Sequence, residues 1–513
     1  MYNPFYRSQL QQSRPYTYSL VLIVFMTLWH LFLAGQVNLS VDEAHYALYG
    51  VKLDWSYFDH PSMVGWLNAI PTFFSHSDRA MRILPILFFA LSNWILYHLA
   101  TRLYPDFRWV GFWTLVLINS AFMFQLLSTS MLPDTPLMVA ALMVVWTLLN
   151  LRSARETQHG TFKYWIYMGI WIGVAGLSKY TSVVLVFSLM LVVLLERRWY
   201  WLTDKGLWTA VLIAATLILP VLYWNHQHDW ISFLYQIHHG TYNTDWQWSR
   251  VLETQLAQLA LYTPILYLIG LWVMMTSWFN ASPSTKLLGA FSLPVILLFA
   301  MNSGYEMSLP HWTQLAWLFI APSSVYWIWK HWQTKALRLF VYIGGTLSLV
   351  FAGLLNTQLA FPWMPVKSDD NPVRELHGWP QAIAEAQKLQ QRYPGTALFA
   401  ANWSQASRIA WYAYPQKVYV TDNRFDQFDL WYGNPESGSD GILIIPSYEQ
   451  KPPATGSAGH FQQCRKVEQL PITRLQTTIV TYSFYHCTDF HAPQYQGWVT
   501  QLPLVKKMQA NQN

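Results

Sequence analysis

The chain has 513 residues, of which 53% are hydrophobic and only 11% are charged, whereas soluble domains contain about 25% charged residues. The formal net charge of +6 comes from Lys and Arg dispersed among short segments, so no basic patch for nucleic acid is predicted. The sequence contains no phosphate-binding loop, Gly-rich dinucleotide turn or Cys/His metal framework. This composition predicts a polytopic α-helical membrane protein.

Apolar segments recur throughout residues 1–360, which we expect to form a transmembrane domain. A membrane-spanning helix needs about 20 mostly apolar residues, and this criterion predicts about eleven helices. Their expected positions are 19–35, 83–101, 109–124, 136–151, 164–178, 181–195, 207–224, 254–278, 287–302, 312–329 and 338–359. The first helix is expected to remain uncleaved, because no small-residue cleavage site follows it.

Lys and Arg are distributed unequally between the two sets of loops. With a cytoplasmic N-terminus, the bases in the outer loops before residue 360 are Lys52, Arg79, Arg82, Lys179 and Arg250, and all others lie inside. This positive-inside pattern predicts an odd number of helices and a C-terminus outside. Acidic residues instead gather in the outer loops, so the chemistry is expected on the outer face.

The character of the sequence changes near residue 361, where a Pro-rich linker begins. Residues 361–513 are predicted to form a soluble extracytoplasmic α/β domain, with a helix over 379–392 and strands over 396–401, 417–421, 441–446 and 477–485. Both cysteines, Cys464 and Cys487, lie in this domain. An oxidising compartment favours a disulfide between them, and two buried free thiols are the alternative.

Asp42 and Glu43 follow the first apolar segment, in the first outer loop (37–80). A carboxylate there can be a general base, a metal ligand or a partner for a cationic substrate. Ser40 to Glu43 also fits the capping box S-x-x-E at the start of a helix, and the two interpretations are compatible. Because adjacent side chains rarely reach the same atom, we expect at most one of them to contact the reacting group.

Two further outer segments contain candidate residues. In Tyr57-Phe58-Asp59-His60-Pro61, Pro61 can begin a helix, which places His60 where free N–H groups favour an anion; a packed polar helix start is the alternative. Asp134 is predicted at the outer end of the fourth helix, either as a simple N-cap or as a second carboxylate of the Asp42 site. Asp42, Asp59 and His60 are also the candidate metal ligands.

The remaining candidates are basic or imidazole side chains in later outer loops. Lys179 lies beside two hydroxyls in a short turn, a setting that suits a phosphate, and snorkelling from the helix end is the alternative. In the Trp-rich loop 224–250, His239 and Arg250 are candidate ligands of substrate. The histidines of this loop match no dedicated zinc motif.

The combination and order of these motifs resemble the GT-C glycosyltransferases, in the branch that includes bacterial protein O-mannosyltransferases and the lipid A aminoarabinose transferase. The resemblance covers roughly residues 15–360 and rests on 42–46, 57–61, 132–136, 176–180 and 224–240. Members of this family take a sugar from a polyprenyl-phosphate carrier and attach it to an acceptor at the outer face of the membrane.

The resemblance implies a role for each candidate. Asp42 would be the catalytic carboxylate with Glu43 beside it, and Asp134 would be the second outer carboxylate. Lys179 would bind the carrier phosphate, and Tyr57 would contact substrate. Asp59 and His60 stand where the lipid A enzymes have a Glu-Lys pair, so a permanent charge is replaced here by a titratable one. The loop around His239 lacks an expected arginine, unless Arg250 substitutes for it.

The implied function is an integral membrane glycosyltransferase of the bacterial inner membrane that inverts the anomeric carbon in a single displacement. Its implied partners are a polyprenyl-phosphate-linked sugar, membrane lipids and an acceptor that is lipid A, another glycolipid or a protein hydroxyl. The need for a divalent metal ion is left open. The alternative is a flippase or transporter of a polyprenyl-linked lipid, for which ionisable residues near the bilayer midplane would be expected.

Overall fold

The computed structural model describes residues 14–241, 245–279, 281–366, 370–449, 452–456 and 460–510, with the side chains of 239–241 excepted. Up to residue 360 the regular structure within these ranges is helical. The α-helices are α1 (Arg14–Leu33), α2 (Val41–Val51), α3 (Met63–Phe74), α4 (Asp78–Leu103), α5 (Val110–Ser120), α6 (Phe122–Thr129), α7 (Asp134–Glu156), α8 (Phe162–Ser178), α9 (Val183–Leu195), α10 (Lys205–Gln227), α11 (Ile231–Thr241), α12 (Trp248–Leu261), α13 (Gly270–Thr276), α14 (Pro283–Asn302), α15 (Gln314–Lys330) and α16 (Lys335–Ala360).

Six of the described helices are long and apolar enough to cross a membrane, namely α1, α4, α7, α10, α14 and α16. The number rises to eight if the bent pair α5–α6 and the pair formed by 248–261 and 265–276 each cross once. The predicted number of eleven is therefore not confirmed. Helices such as α9, with 13 residues, are too short at about 1.5 Å per residue to cross a hydrocarbon layer of about 30 Å.

The bend of 80° between α5 and α6 breaks a segment that the sequence predicts to be continuous. Buried amide side chains accompany the break: the Gln125 side chain donates to the carbonyl of Asn119 at 2.7 Å, and the Asn119 side chain donates to Asn93 Oδ1 at 2.7 Å. A side chain that takes over a helical carbonyl is a recognised cause of a sharp kink.

The C-terminal part contains a five-stranded mixed sheet. Its helices are α17 (Trp379–Arg392), α18 (Trp403–Ala413), α19 (Gln427–Tyr432) and α20 (Pro503–Ala510), and its strands are β1 (Ala397–Ala400), β2 (Val418–Val420), β3 (Gly441–Pro446), β4 (Phe461–Arg474) and β5 (Thr477–Phe490). The strand order is β2-β1-β3-β5-β4, in which β1 is parallel to β2 and β3, and β5 is antiparallel to β3 and β4. A disulfide joins Cys464 on β4 to Cys487 on β5.

The predicted helix and strands of this part correspond to α17, β1, β2, β3 and β5, whereas α18, α19, α20 and β4 are not predicted. Most side chains of the edge strand β4 are exposed or half-buried. Its sequence therefore lacks the alternation of apolar and polar residues by which a strand is predicted. Its partner β5 continues five residues beyond the predicted end at residue 485.

The hydrophobic core of the C-terminal part includes residues of the first outer loop. Ala44, Ala47 and Leu48 of α2 are buried in one cluster with Trp379 and Ile409. The Leu39 N–H also donates to the Tyr412 hydroxyl at 2.9 Å. The core of the C-terminal part therefore includes residues from before the composition change near residue 361. Helix α2 is held between the membrane helices and the sheet.

Candidate active site

Helix α2 begins with the capping box that the sequence predicts. The Ser40 side chain accepts from the Glu43 N–H at 3.4 Å, and Glu43 Oε2 accepts from the Ser40 N–H at 2.9 Å. These bonds satisfy two of the N–H groups that a helix start leaves without a partner. They fix the first turn of α2, which contains Asp42.

Glu43 also forms a buried ion pair with Arg82. Arg82 Nε lies 2.7 Å from Glu43 Oε1, and Arg82 Nη2 lies 2.9 Å from Oε2. The remaining Arg82 N–H groups donate to the carbonyls of Ala34, Val37 and Asn38 at 2.8–3.0 Å. Burial acts to raise the pKa of Glu43, but Arg82 and Ser40 outweigh burial and lower it. Arg82 and Ser40 occupy both Glu43 oxygens, which agrees with the expectation that at most one of the two adjacent carboxylates contacts the reacting group.

The Asp42 side chain is half-buried and, among the described residues, accepts no hydrogen bond and forms no ion pair. Burial, followed by the charge of Asp59, raises the pKa of Asp42 to about 6, while Lys179 acts in the opposite direction. Asp134 also raises it. These four residues therefore lie within electrostatic reach of one another, and we refer to Asp42, Asp59, Asp134 and Lys179 as the carboxylate cluster.

Asp134 and Lys179 pair with each other inside this cluster. Lys179 Nζ lies 2.9 and 2.8 Å from the two Asp134 oxygens, and the Gln314 side chain donates to Asp134 Oδ1 at 2.7 Å. The two side chains are buried, with residue exposures of 2% for Asp134 and 7% for Lys179. Asp134 is thus held as a carboxylate by two donors, and Lys179 retains one ammonium hydrogen for another acceptor.

Asp59 is fixed by a hydrogen-bonded series of side chains. The Tyr49 hydroxyl donates to Asp59 Oδ1, and His60 Nε2 lies 4.0 Å from Asp59 Oδ2. Burial acts to raise the pKa of Asp59, but His60, His45 and the Tyr49 hydroxyl outweigh burial and lower it. Asp59 is therefore a stable anion, whereas Asp42 titrates near neutrality.

His45 extends this series into the C-terminal part. Its Nε2 lies 3.0 Å from the Tyr49 hydroxyl, and its Nδ1 lies 2.9 Å from the Ser407 hydroxyl on α18. Burial lowers the pKa of His45 to about 4, so the ring is neutral. The Tyr49 hydroxyl gives its hydrogen to Asp59, and the Ser407 hydroxyl also donates to the carbonyl of Trp403 at 2.8 Å. The sheet domain is thus connected to Asp59 through three side chains.

The predicted contact of Tyr57 with substrate is not supported by its position. Its ring stacks on Tyr49 with centroids 3.6 Å apart, and its hydroxyl donates to the Tyr49 carbonyl at 2.9 Å. The same hydroxyl accepts from the Asp54 N–H at 3.1 Å. Tyr57 is fully buried, and it supports the loop beneath Asp59.

The sequence is similar to known glycosyltransferases. Residues 59–224 match the family model described as dolichyl-phosphate-mannose-protein mannosyltransferase. Lipid A galacturonosyltransferase RgtD of Rhizobium johnstonii is 26% identical over 429 residues, which are 80% of this chain and 82% of the relative.

The fold is similar to that of ArnT from Cupriavidus metallidurans. The crystal structure of ArnT bound to undecaprenyl phosphate has a TM-score of 0.57 at 14% identity and covers 90% of this chain and 97% of ArnT. The apo structure has a TM-score of 0.54 at 15% identity, with 83% and 92% covered. The prediction of a GT-C glycosyltransferase is confirmed.

In this glycosyltransferase, the predicted ligand Arg250 makes its hydrogen bonds apart from the contacts described above. Arg250 donates to the carbonyls of Tyr305 at 2.6 Å and Asp245 at 3.1 Å, so it holds the loop after α14 rather than replacing the expected arginine of the site. The side chain of His239 lies outside the described residues.

The sequence leaves the need for a metal ion in this glycosyltransferase open and names Asp42, Asp59 and His60 as candidate ligands. Within the part of the chain that the structure describes, no three His, Cys, Asp or Glu side chains are arranged to hold a metal ion. Asp59 Oδ1 instead accepts from Tyr49, and the Asp59–His60 approach of 4.0 Å is an electrostatic contact.

The sequence analysis does not identify Arg82, His45, Gln314 or His311 as residues of the site. His311 is close enough to Asp134 and Lys179 to interact electrostatically, and burial lowers its pKa to about 4. Arg82 has a usable signal, because an arginine next to an apolar helix usually has a specific partner. The other three become visible only when the helices are assembled.

Proposed function

We propose that this glycosyltransferase moves a sugar from a polyprenyl-phosphate carrier to lipid A at the outer face of a bacterial inner membrane. The observation that carries the proposal is the unpaired Asp42 carboxylate, whose raised pKa of about 6 suits a general base near neutral pH. The donor class is supported by ArnT, which has this fold and binds undecaprenyl phosphate. The acceptor is supported by the lipid A galacturonosyltransferase relative.

The proposed reaction is a single displacement. The acceptor hydroxyl gives its proton to Asp42 as its oxygen forms a bond to the anomeric carbon. The bond between that carbon and the phosphate oxygen breaks on the opposite face, and its electron pair remains on the phosphate. The products are an inverted glycoside and the polyprenyl phosphate. The proposed groups that stabilise the leaving phosphate are His60 and Lys179, which has one ammonium hydrogen beyond the two given to Asp134.

The outer location is supported by where the cluster lies on the helices. Asp134 is the first residue of α7, and Lys179 directly follows the last residue of α8. Asp42 is in the short helix that follows α1. With a cytoplasmic N-terminus, α1 brings Asp42 to the outer side, and Asp134 and Lys179 share that side because they are within electrostatic reach of Asp42. Residues 361–513 supply part of the hydrophobic cluster that packs on α2, and we place them on the same side for that reason.

The transporter alternative is not retained. Transporters place ionisable side chains and broken helices around a site near the bilayer midplane, whereas the carboxylate cluster lies at helix ends. No contact in the described residues favours a transport path. Another glycolipid or a protein hydroxyl remains as an outcome of the test below.

The test is a transfer assay with purified enzyme in lipid nanodiscs. Galacturonic acid on undecaprenyl phosphate is the first donor, because of the relative's name, and lipid A and a Ser/Thr peptide are the acceptors. We expect labelled lipid A with inverted anomeric configuration by NMR. Asp42→Asn is expected to lower the transfer rate by about 100- to 10,000-fold, while donor binding remains.

The matched control is Asp54→Asn, because Asp54 is an exposed carboxylate of the same loop and lies outside the carboxylate cluster. It should transfer at the wild-type rate. Equal rates for Asp42→Asn and wild type would reject Asp42 as the base. Label in the peptide instead of lipid A would reject the proposed acceptor.

A further inference from the structure

A segment of the C-terminal part reaches the active site. The Gln427 side chain accepts from the Phe58 N–H at 2.7 Å, next to Asp59 in sequence. Three residues earlier, Arg424 donates through Nη2 to the hydroxyl of Tyr235 on α11 at 3.1 Å. Two elements that are distant in sequence thus meet beside the first outer loop.

The Arg424 guanidinium is held in place without an ion pair among the described residues, although Asp422 and Asp426 are close enough to act on it electrostatically. Its Cζ lies 5.7 Å from the ring centroid of Tyr235 and 5.8 Å from that of Trp403, within the range of cation–π attraction. The residue is nevertheless exposed. In the ranges that the structure describes, no carboxylate lies within ion-pair distance of it. Most of its five N–H donors therefore remain available.

Arg424 differs in this respect from the other bases near the site. Arg82 is fully used by Glu43 and three carbonyls, and Lys179 is paired with Asp134. Arg250 donates to backbone carbonyls. The carboxylate cluster has three acidic side chains and one lysine, so its net negative charge repels an anionic donor. A further cation is needed to hold that donor.

The position of Arg424 fits this need. The Tyr235 hydroxyl that orients it is within electrostatic reach of Asp59, and His45 is within reach of both Arg424 and Asp59. Arg424 is therefore close to Tyr235 and His45, both of which are close to Asp59 of the carboxylate cluster. Its planar fork of donors matches the two oxygens of a carboxylate or a phosphate.

We infer that Arg424 binds an oxyanion group of the sugar donor and thereby contributes to donor specificity. The oxyanion is either the carboxylate of a uronic sugar or the phosphate of the carrier, which share the same chemistry. This inference rests on the proposed function, since that function defines the donor. It assigns to the C-terminal part a direct contact with substrate.

The experiment compares the binding of two donors that differ in one group. Undecaprenyl phosphate carrying galacturonic acid and the same carrier carrying galactose are titrated into nanodiscs, and Kd is followed by tryptophan fluorescence. For Arg424→Gln we expect Kd to rise by about tenfold or more, because a hydrogen-bonded charge pair is lost. If Kd rises for the uronic donor alone, the group that Arg424 binds is the sugar carboxylate. If Kd rises for both donors, the group is the carrier phosphate.

Two further variants test whether a change in Kd is specific to Arg424. Tyr235→Phe removes the hydroxyl that orients the guanidinium and is expected to weaken the same donor to a smaller extent. Arg392→Gln is the matched control, since Arg392 is an exposed arginine of α17 and should leave both Kd values unchanged. Wild-type Kd values for both donors in folded Arg424→Gln and Tyr235→Phe overturn the inference.

Binding and transfer are measured separately so that the two ideas can fail separately. Wild-type enzyme that binds the donors but transfers no sugar rejects the proposed function, and the Kd values still decide whether Arg424 binds the oxyanion. Wild-type enzyme that transfers sugar, together with unchanged Kd in the variants, rejects only the role of Arg424.

Discussion

Asp42 and Glu43 are adjacent in sequence and carry the same charge, yet they lie in two different regions. Glu43 points into the protein, where Arg82 and Ser40 occupy both of its oxygens. Asp42 lies at the carboxylate cluster, and no described side chain donates to it. Successive side chains of a helix are about 100° apart, which is enough to separate a positioning residue from a candidate base. The hydrogen-bond and ion-pair partners of a carboxylate therefore indicate its role better than its charge does.

The largest effect is expected when Glu43 loses its ion-pair partner, which tests whether Glu43 serves the structure and not the chemistry. Arg82→Met leaves a buried carboxylate without its counter-charge, and we expect the free energy of unfolding to fall by about 3–5 kcal/mol. Thermal unfolding in detergent would measure this loss as a lower Tm. Activity should fall in proportion to the folded fraction.

The double variant Arg82→Met/Glu43→Gln is the control for this prediction. Because it removes both charges, it should recover much of the lost stability. A wild-type Tm in Arg82→Met with activity abolished would show that the pair acts in the chemistry, and the distinction between the two neighbours would then fail.

The pH dependence of the transfer rate tests whether Asp42 is the general base. A base must be ionised, and the pKa of Asp42 is raised to about 6. In the free enzyme, kcat/KM should therefore be constant above about pH 7 and fall about tenfold for each pH unit well below 6. The donor phosphodiester keeps its charge over this range, so the fall belongs to the enzyme.

A stability measurement at each pH separates titration from unfolding. An ordinary Asp, with a pKa of about 3.9, would leave kcat/KM nearly constant down to pH 5. A flat profile in enzyme that stays folded at pH 5 would therefore contradict the assignment of Asp42 as the base.

The smallest expected effect concerns Arg250, which the sequence analysis selects and the structure uses elsewhere. It donates to the carbonyls of Tyr305 and Asp245, so Arg250→Gln should change the Kd of the donor by no more than about twofold. Fluorescence titration in nanodiscs measures this value. A tenfold rise in Kd would place Arg250 in the donor site and weaken the argument for Arg424.

The fold class and the location of the acidic residues could be predicted because they depend on local composition. Apolar segments predict helices, and the capping box at Ser40–Glu43 follows from four residues. The number of spans could not be predicted, because hydropathy does not report a bend such as the one between Ser120 and Phe122. Strand β4 was missed because its solvent-exposed face hides the alternation.

The candidate site was only partly predictable. The sequence singles out Asp42, Asp59, Asp134 and Lys179 and offers Asp134 as a second carboxylate of the Asp42 site. The structure places Asp59, Asp134 and Lys179 within electrostatic reach of Asp42. Their pairing could not be predicted, because Lys179 reaches Asp134 across 45 residues. Arg424 gave no signal at all: a single arginine in a polar loop becomes informative only when the fold places it beside Tyr235.

The packing of α2 against the sheet has a consequence for how the enzyme is made. Ala44, Ala47 and Leu48 emerge early from the ribosome, but Trp379 and Ile409, which cover them, are synthesised more than 300 residues later. Until then α2, whose first turn contains Asp42, is in contact with the membrane helices but not with the C-terminal part. A prematurely terminated chain therefore inserts its first helices without completing the site, and carrier lipid in the membrane meets a working enzyme only after translation has almost finished.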